Sequence, residues 1–167
     1  MKLKSIALAV ALSSCIGAVA AQQPAAQPQP QQQAAQPQQL TQEQQAQLAR
    51  QDAELTNAAT QVVQMIDANR VGDAWDLSTD AVKRIVPRDS FVQQVAADRA
   101  RLGAPTARGQ AVVTRTQFQE GGEVPAGLYI NVAFPTTFAN NAEPVRELVS
   151  FRLDEDQVWR LSGYSLR

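Results

Sequence analysis

The residues that could do chemistry in this chain are few, and histidine is not among them. Without it there is no Ser-His-Asp or Cys-His nucleophile pair and no His-ligated zinc. Also missing is the one side chain whose ordinary pKa suits proton transfer near neutrality. Lys83 belongs to no Ser-x-x-Lys motif and reads as a solvated charge on a helix surface. No glycine pattern of a phosphate or dinucleotide loop occurs, and Gly121-Gly122 reads as a turn. Carboxylates remain. Asp154, Glu155 and Asp156 are adjacent but lack the alternating ligands and glycine of a calcium loop, so they read as a polar turn. Asp73, Asp76 and Asp80 can share one side of a helical region, either edging a pocket or serving as ordinary partners of helix starts. The residue types call for no cofactor and no metal, and catalysis is not expected. An enzymatic alternative, a small lyase or isomerase, would need a carboxylate buried beside a tyrosine with a shifted pKa.

The remaining candidates are aromatic. Trp75, Tyr129, Phe151, Trp159 and Tyr164, together with Phe91 and Phe134, fall on elements that should face one another. Such a set either lines an apolar pocket with a few fixed polar groups, or fills a core. In the pocket reading, Tyr129 or Tyr164 with a nearby arginine would supply the polar groups.

The elements that position these residues are legible from periodicity. Thr41 and Gln44 fit a capping box. Leu48, Leu55 and Val62 recur at sevens, with Ala59, Val63 and Ile66 in the same stripe, which predicts an amphipathic helix to about Asn69. A second short helix begins at Asp73. A third starts at Pro87, buries Phe91, Val95 and Leu102, and ends at Gly103 and Pro105. After residue 105 the period changes. Gln110 to Phe118 is a strand, and Gly127 to Phe138 is another, with Leu128, Ile130, Val132 and Phe134 on one face. Pro135 should interrupt that strand or place it on an edge. Val145 to Leu153 alternates with Val149, Phe151 and Leu153 inward, Asp154 to Gln157 turns, and Val158 to Leu166 is the last strand. The expected fold is α+β: three N-terminal helices packed on a curved four-stranded antiparallel meander.

Ahead of this domain, residues 41–167, lie two segments of different texture. In residues 1–20, Lys2 and Lys4 precede an apolar run too short to span a bilayer, and Ala18-Val19-Ala20 offers a small-x-small cleavage site. These are the parts of a signal peptide, and they place the mature protein in the periplasm or outside the cell. The only cysteine, Cys15, follows Leu12-Ser13-Ser14 in a lipobox-like setting, so a lipid anchor at Cys15 is the alternative to cleavage after Ala20. Residues 21–40 hold ten Gln, four Pro, five Ala and one Leu, with no charge. That composition cannot bury enough apolar surface to offset the entropy of ordering, so it reads as a disordered spacer.

Without Lys2 and Lys4 the chain carries 13 basic and 16 acidic residues, and Lys83 is its only remaining lysine. A net charge of −3 is a poor fit to a nucleic-acid binder, which needs a basic face. No stretch of the mature chain is apolar enough for a transmembrane span.

Residues from about 58 to 167 resemble a family of secreted bacterial domains catalogued as a domain of unknown function, the four-thousand-and-nineteenth of that catalogue. Ala74-Trp75, Phe91, the run Arg99 to Gly103, Gly127-Leu128-Tyr129, Phe134, Thr137 to Asn140 and the ending Trp159 to Arg167 carry the resemblance. It implies a cystatin-like or nuclear-transport-factor-like cone of helices in a curved sheet. Cones of that group serve as ligand pockets, small isomerases or dehydratases, and protein-interaction modules, so fold alone does not decide function. The enzymatic relatives rely on His or Asp dyads, and this chain has no His. The expectation is a non-enzymatic envelope module that binds a small ligand or a protein partner, with a self-assembling structural component as a further alternative.

Overall fold

The computed structural model describes residues 40–167; the signal segment, Cys15 and the spacer to residue 39 lie outside the described residues. Four helices precede a sheet: α1 (Gln42–Asp67), α2 (Val71–Asp76), α3 (Asp80–Ile85) and α4 (Arg88–Leu102). The five strands are β1 (Pro105–Arg108), β2 (Val112–Phe118), β3 (Gly127–Phe138), β4 (Asn141–Leu153) and β5 (Trp159–Leu166). The class is α+β, with one helix and one strand more than the sequence pattern predicts. Both additions are short, six residues for α3 and four for β1, so neither develops a readable period.

Thr41 caps α1 as expected, its hydroxyl accepting from the Gln44 amide while the Gln44 side chain accepts from the Thr41 amide. The buried stripe of α1 is Leu55, Ala59, Val62, Val63 and Ile66. It packs on Ile130, Val132 and Phe134 of β3, Val149 and Phe151 of β4 and Leu161 of β5. Val71 and Ala74 of α2 and Val95 of α4 close the same core. An ion pair tethers α1 three turns in from its start, where Arg115 of β2 reaches Asp52 at 2.6 Å.

The sheet is curved, open and antiparallel throughout. β4 lies between β3 and β5, and the free side of β3 is shared by two short strands in tandem. β2 pairs with Gly127–Ala133 and β1 with Thr136–Phe138. Pro135 falls at the handover between them. The expectation that it ends β3 or puts the strand on an edge is therefore corrected. A proline lacks only its N–H, and at a gap between two partners no N–H is required. Its carbonyl still accepts from the Gly109 amide at 2.8 Å. Gly109 lies so close over the proline ring that a Cβ there would stand 2.7 Å from Pro135 Cγ.

Along β3 the buried set on the helix-facing side is Ile130, Val132, Phe134, Thr136 and Phe138, and Tyr129 is buried on the other face. Leu128 shares their face by alternation, yet it is 47% exposed because it lies where the helices no longer cover the sheet. Leu153 is half-buried for the same reason. The β5 edge is covered: Ser78 bridges Leu161 in parallel, and the Thr79 amide donates to the Leu161 carbonyl at 3.0 Å.

Candidate functional site

Two surface grooves meet at Trp159. The first, about 370 Å³, has Val62, Phe151, Leu161 and Trp159 as its apolar part and Asp76, Asp80, Lys83 and Arg160 among its polar wall. The second, about 400 Å³, lies toward the tips of the hairpins, where Leu128, Ile130, Leu153 and Trp159 face Gln51 and Arg115. β5 brings Trp159 opposite Leu153 of β4. Both grooves open broadly to solvent, so neither encloses a ligand the way a small-molecule pocket does. Leu77 lines the first groove and Leu128 the second, each 47% exposed.

Three of the four charges around the first groove, Asp76, Lys83 and Arg160, are already engaged. Asp76 pairs with Arg88 at 3.5 Å, and Arg160 binds Asp156 through two short bonds of 2.6 and 2.7 Å. That bond is the main reason the Asp156 carboxyl is pulled down to about 2. Lys83 donates to the Asp76 carbonyl at 2.8 Å and its ammonium lies 5.6 Å from the centre of the Trp75 ring. Asp76 and Asp80 thus share a groove wall, whereas Asp73 turns away to Arg70.

The five aromatic candidates do not line one pocket. Phe151 and Trp159 share the first groove, Tyr129 and Trp159 the second. Trp75 donates from Nε1 to the Val86 carbonyl at 3.0 Å, which ties α2 to the segment after α3. Tyr129 packs edge-on to Phe118 and donates to the Pro125 carbonyl at 2.8 Å, holding the β2–β3 loop.

Tyr164 belongs to a different structure, one that sequence reasoning missed. Its hydroxyl donates to Glu147 at 2.8 Å, and Glu147 is fully buried on the helix-facing side of β4. The Glu147 carboxylate also accepts from Arg108 Nε at 2.6 Å, Thr136 Oγ1 at 2.8 Å and Arg99 Nη1 at 3.4 Å. Asp67, at the end of α1, accepts from the same two arginines. Two guanidiniums and two carboxylates therefore balance at the junction of α1, α4, β1, β3, β4 and β5. Arg99 in addition covers the Phe138 ring at 5.1 Å. A signal did exist: Glu147 sits in the period-two row Val145, Glu147, Val149, Phe151, so a carboxylate was facing inward.

Burial, then the charge and hydrogen bond of Glu147, push the Tyr164 phenol well above the ordinary tyrosine range, Arg99 and Arg108 opposing. Burial raises Tyr129 as well, with Arg152 opposing. A folded pKa above the unfolded one near 10 favours folding fully below about pH 10, and that contribution is lost as pH rises through the folded values. The chain has only these two tyrosines. Phenolate absorbance should therefore stay low through about pH 10 and appear together with the loss of the far-ultraviolet dichroism. Reversible titration centred near 10 in a chain with native dichroism would contradict the placement of both hydroxyls.

The tyrosine and the buried carboxylate that the enzymatic alternative calls for are both found here. Four side chains donate to the Glu147 oxygens, which offer about four lone-pair directions. It can accept a substrate proton only by releasing a protein donor.

A family model described as "protein of unknown function (DUF4019)" matches residues 58–164, all but the last three residues of the span over which the sequence motifs carry the resemblance. No curated protein and no solved structure matches the chain.

Proposed function

The chain belongs to the DUF4019 family of proteins of unknown function, and we propose that it is an exported, non-enzymatic binding module of the cell envelope that takes a protein segment in the paired grooves at Trp159. The observation that carries this reading is the pair of half-open grooves, each part apolar, that share one tryptophan. A drug-sized ligand is typically enclosed over most of its surface, whereas a polypeptide leaves one side in water and seats its apolar side chains in successive depressions. The interior of the sheet is filled by the α1 stripe, which favours a surface site over a ligand inside a cone.

Export rests on Lys2, Lys4, the apolar run and Ala18-Val19-Ala20, and a location in the periplasm or outside the cell follows from it. The relation to the cystatin-like group is supported by helices packed on one face of a curved antiparallel sheet. Among the described residues, no helix is long and apolar enough to cross a membrane.

The reading predicts a localised cross-link. With a photo-reactive amino acid at Leu77, in the groove, cells should yield an adduct of defined mass. The same group at Thr114, on the sheet face that carries no helix, should not. Trp159→Ala should remove the Leu77 adduct while leaving the dichroism and abundance of the chain unchanged. Equal adducts from both positions, or an adduct indifferent to Trp159→Ala, would sink the groove as the binding site.

A further inference from the structure

The paired register of the sheet brings two loops to one end of the molecule. Phe118 opposes Gly127 and Tyr129 opposes Arg152, while Leu153 opposes Trp159. Residues 119–126, between β2 and β3, and residues 154–158, between β4 and β5, are therefore neighbouring hairpin tips. The second groove opens at this same end, lined by Leu128, Leu153, Gln157 and Trp159.

The tips carry Glu120, Glu123, Asp154, Glu155 and Asp156, and the adjoining strand ends carry Arg152 and Arg160. Five carboxylates against two guanidiniums give −3. The whole of residues 40–167 has 16 acidic and 13 basic side chains, also −3, so the remaining eleven of each sign cancel. The two tips thus carry a net charge equal to that of the whole domain; Arg84 and Asp80, which border the second tip, cancel each other, and Arg115, the cation that lines the groove, is paired with Asp52. Arg152 and Arg160 are spent within the tip, on Asp154 and Asp156. Glu120, Glu123 and Glu155 are exposed and, among the described residues, have no ion-pair partner. Exposed like charges gathered beside low-dielectric apolar walls focus a negative field outward from the groove.

Apolar surface sits among these charges. Leu128 and Val158 are each 47% exposed and Val124 is 39% exposed, all in or beside the same two loops. A purely solvating tip would carry no such side chains, and a purely apolar patch would carry no unpaired carboxylates. An occupant that satisfies both presents aliphatic or aromatic side chains to Leu128, Leu153 and Trp159 with lysine or arginine between them.

We propose that the partner segment is a cationic, amphipathic polypeptide that seats its apolar side chains in the Leu128–Leu153–Trp159 groove and its basic side chains against Glu120, Glu123 and Glu155. The proposal rests on the groove reading and adds to it the charge of the partner. Opposite charge of this kind raises the rate of encounter more than it slows release, and added salt weakens it.

The test uses three synthetic peptides with one apolar pattern and with Lys, Gln or Glu at the intervening positions. Each is titrated by calorimetry against the full-length chain and its Trp159→Ala variant, and by fluorescence against the chain carrying Trp75→Phe, in which Trp159 is the only tryptophan. The Lys peptide should bind at least about tenfold more tightly than the Gln peptide, a difference of about 1.4 kcal/mol. The preference should shrink as salt rises from about 0.1 M toward 1 M, where the screening length falls from about 10 Å to about 3 Å. The triple change Glu120→Gln, Glu123→Gln, Glu155→Gln should abolish the preference and leave Gln-peptide binding intact. If the Gln or Glu peptide binds as well as the Lys peptide, and Trp159→Ala removes that binding, the charge assignment is wrong and the groove stands. If no peptide perturbs Trp159, or if Lys-peptide binding survives Trp159→Ala, the groove reading fails with it.

Discussion

Glu147→Ala is expected to destabilise the fold by about 3 kcal/mol, read as a lowered midpoint in urea with an unchanged slope. Removing one partner of a buried ion pair typically costs about 3–5 kcal/mol, because the opposite charge is left in a poorly solvated site. Here two guanidiniums lose a carboxylate, and Thr136 and Tyr164 lose the acceptor for their hydroxyls. Asp67 remains as a counter-charge to both arginines, which holds the cost to the lower end of that range. Tyr164→Phe removes one hydrogen bond to the same carboxylate and should cost about 1 kcal/mol. A loss below about 1 kcal/mol for Glu147→Ala would mean that the network does not hold the six elements together.

Phe138→Ala should cost about 3–5 kcal/mol, the usual range for a fully buried phenylalanine. Phe138 is 2% exposed at the end of β3, where the chain turns into β4, and the Arg99 guanidinium lies over its ring. Alanine leaves a cavity whose walls include β1, pinned through Pro105 opposite Phe138, and α4, whose end is tied by the Asn140 amide to the Leu102 carbonyl. Walls tied in this way relax little, so the cavity term is kept. Phe138→Leu fills most of the space and loses the face offered to Arg99, so it should cost about 1 kcal/mol. Equal losses for the two variants would show that ring contact with Arg99, and not volume, dominates the site.

The two variants lie on residues of unequal legibility. Phe138 was visible as the end of an alternating strand, and its neighbours Ile130, Val132 and Phe134 are buried as the period-two reading requires. α1 was equally open to inspection, from its capping box to its stripe at sevens, because a 26-residue helix repeats its signal several times. α3 and β1 were not, being shorter than any period can declare. Glu147 had a local signal, but its partners did not. Asp67, Arg99, Arg108, Thr136 and Tyr164 come from five other elements, and only strand register and helix placement bring them within bonding distance. The aromatic candidates divided for a similar reason. Alternation assigns a face of the sheet, yet how far α1 extends over that face decides whether Leu128, Leu153 and Trp159 are core or groove. Tyr129 and Tyr164 went to separate structural duties, whereas Phe151 and Trp159 met at one groove.

The most direct measurement of the central claim uses Lys83, which lines the first groove and is the only lysine beyond Lys4. A small, permeable amine-acylating reagent is applied to cells and to the purified chain, and the modification of Lys83 is followed by peptide mass. A partner segment seated at Trp159 predicts slower Lys83 acylation in cells than in the purified chain, with the fast rate restored in cells expressing Trp159→Ala. Equal rates in cells and in solution, with no response to Trp159→Ala, would contradict an occupied groove.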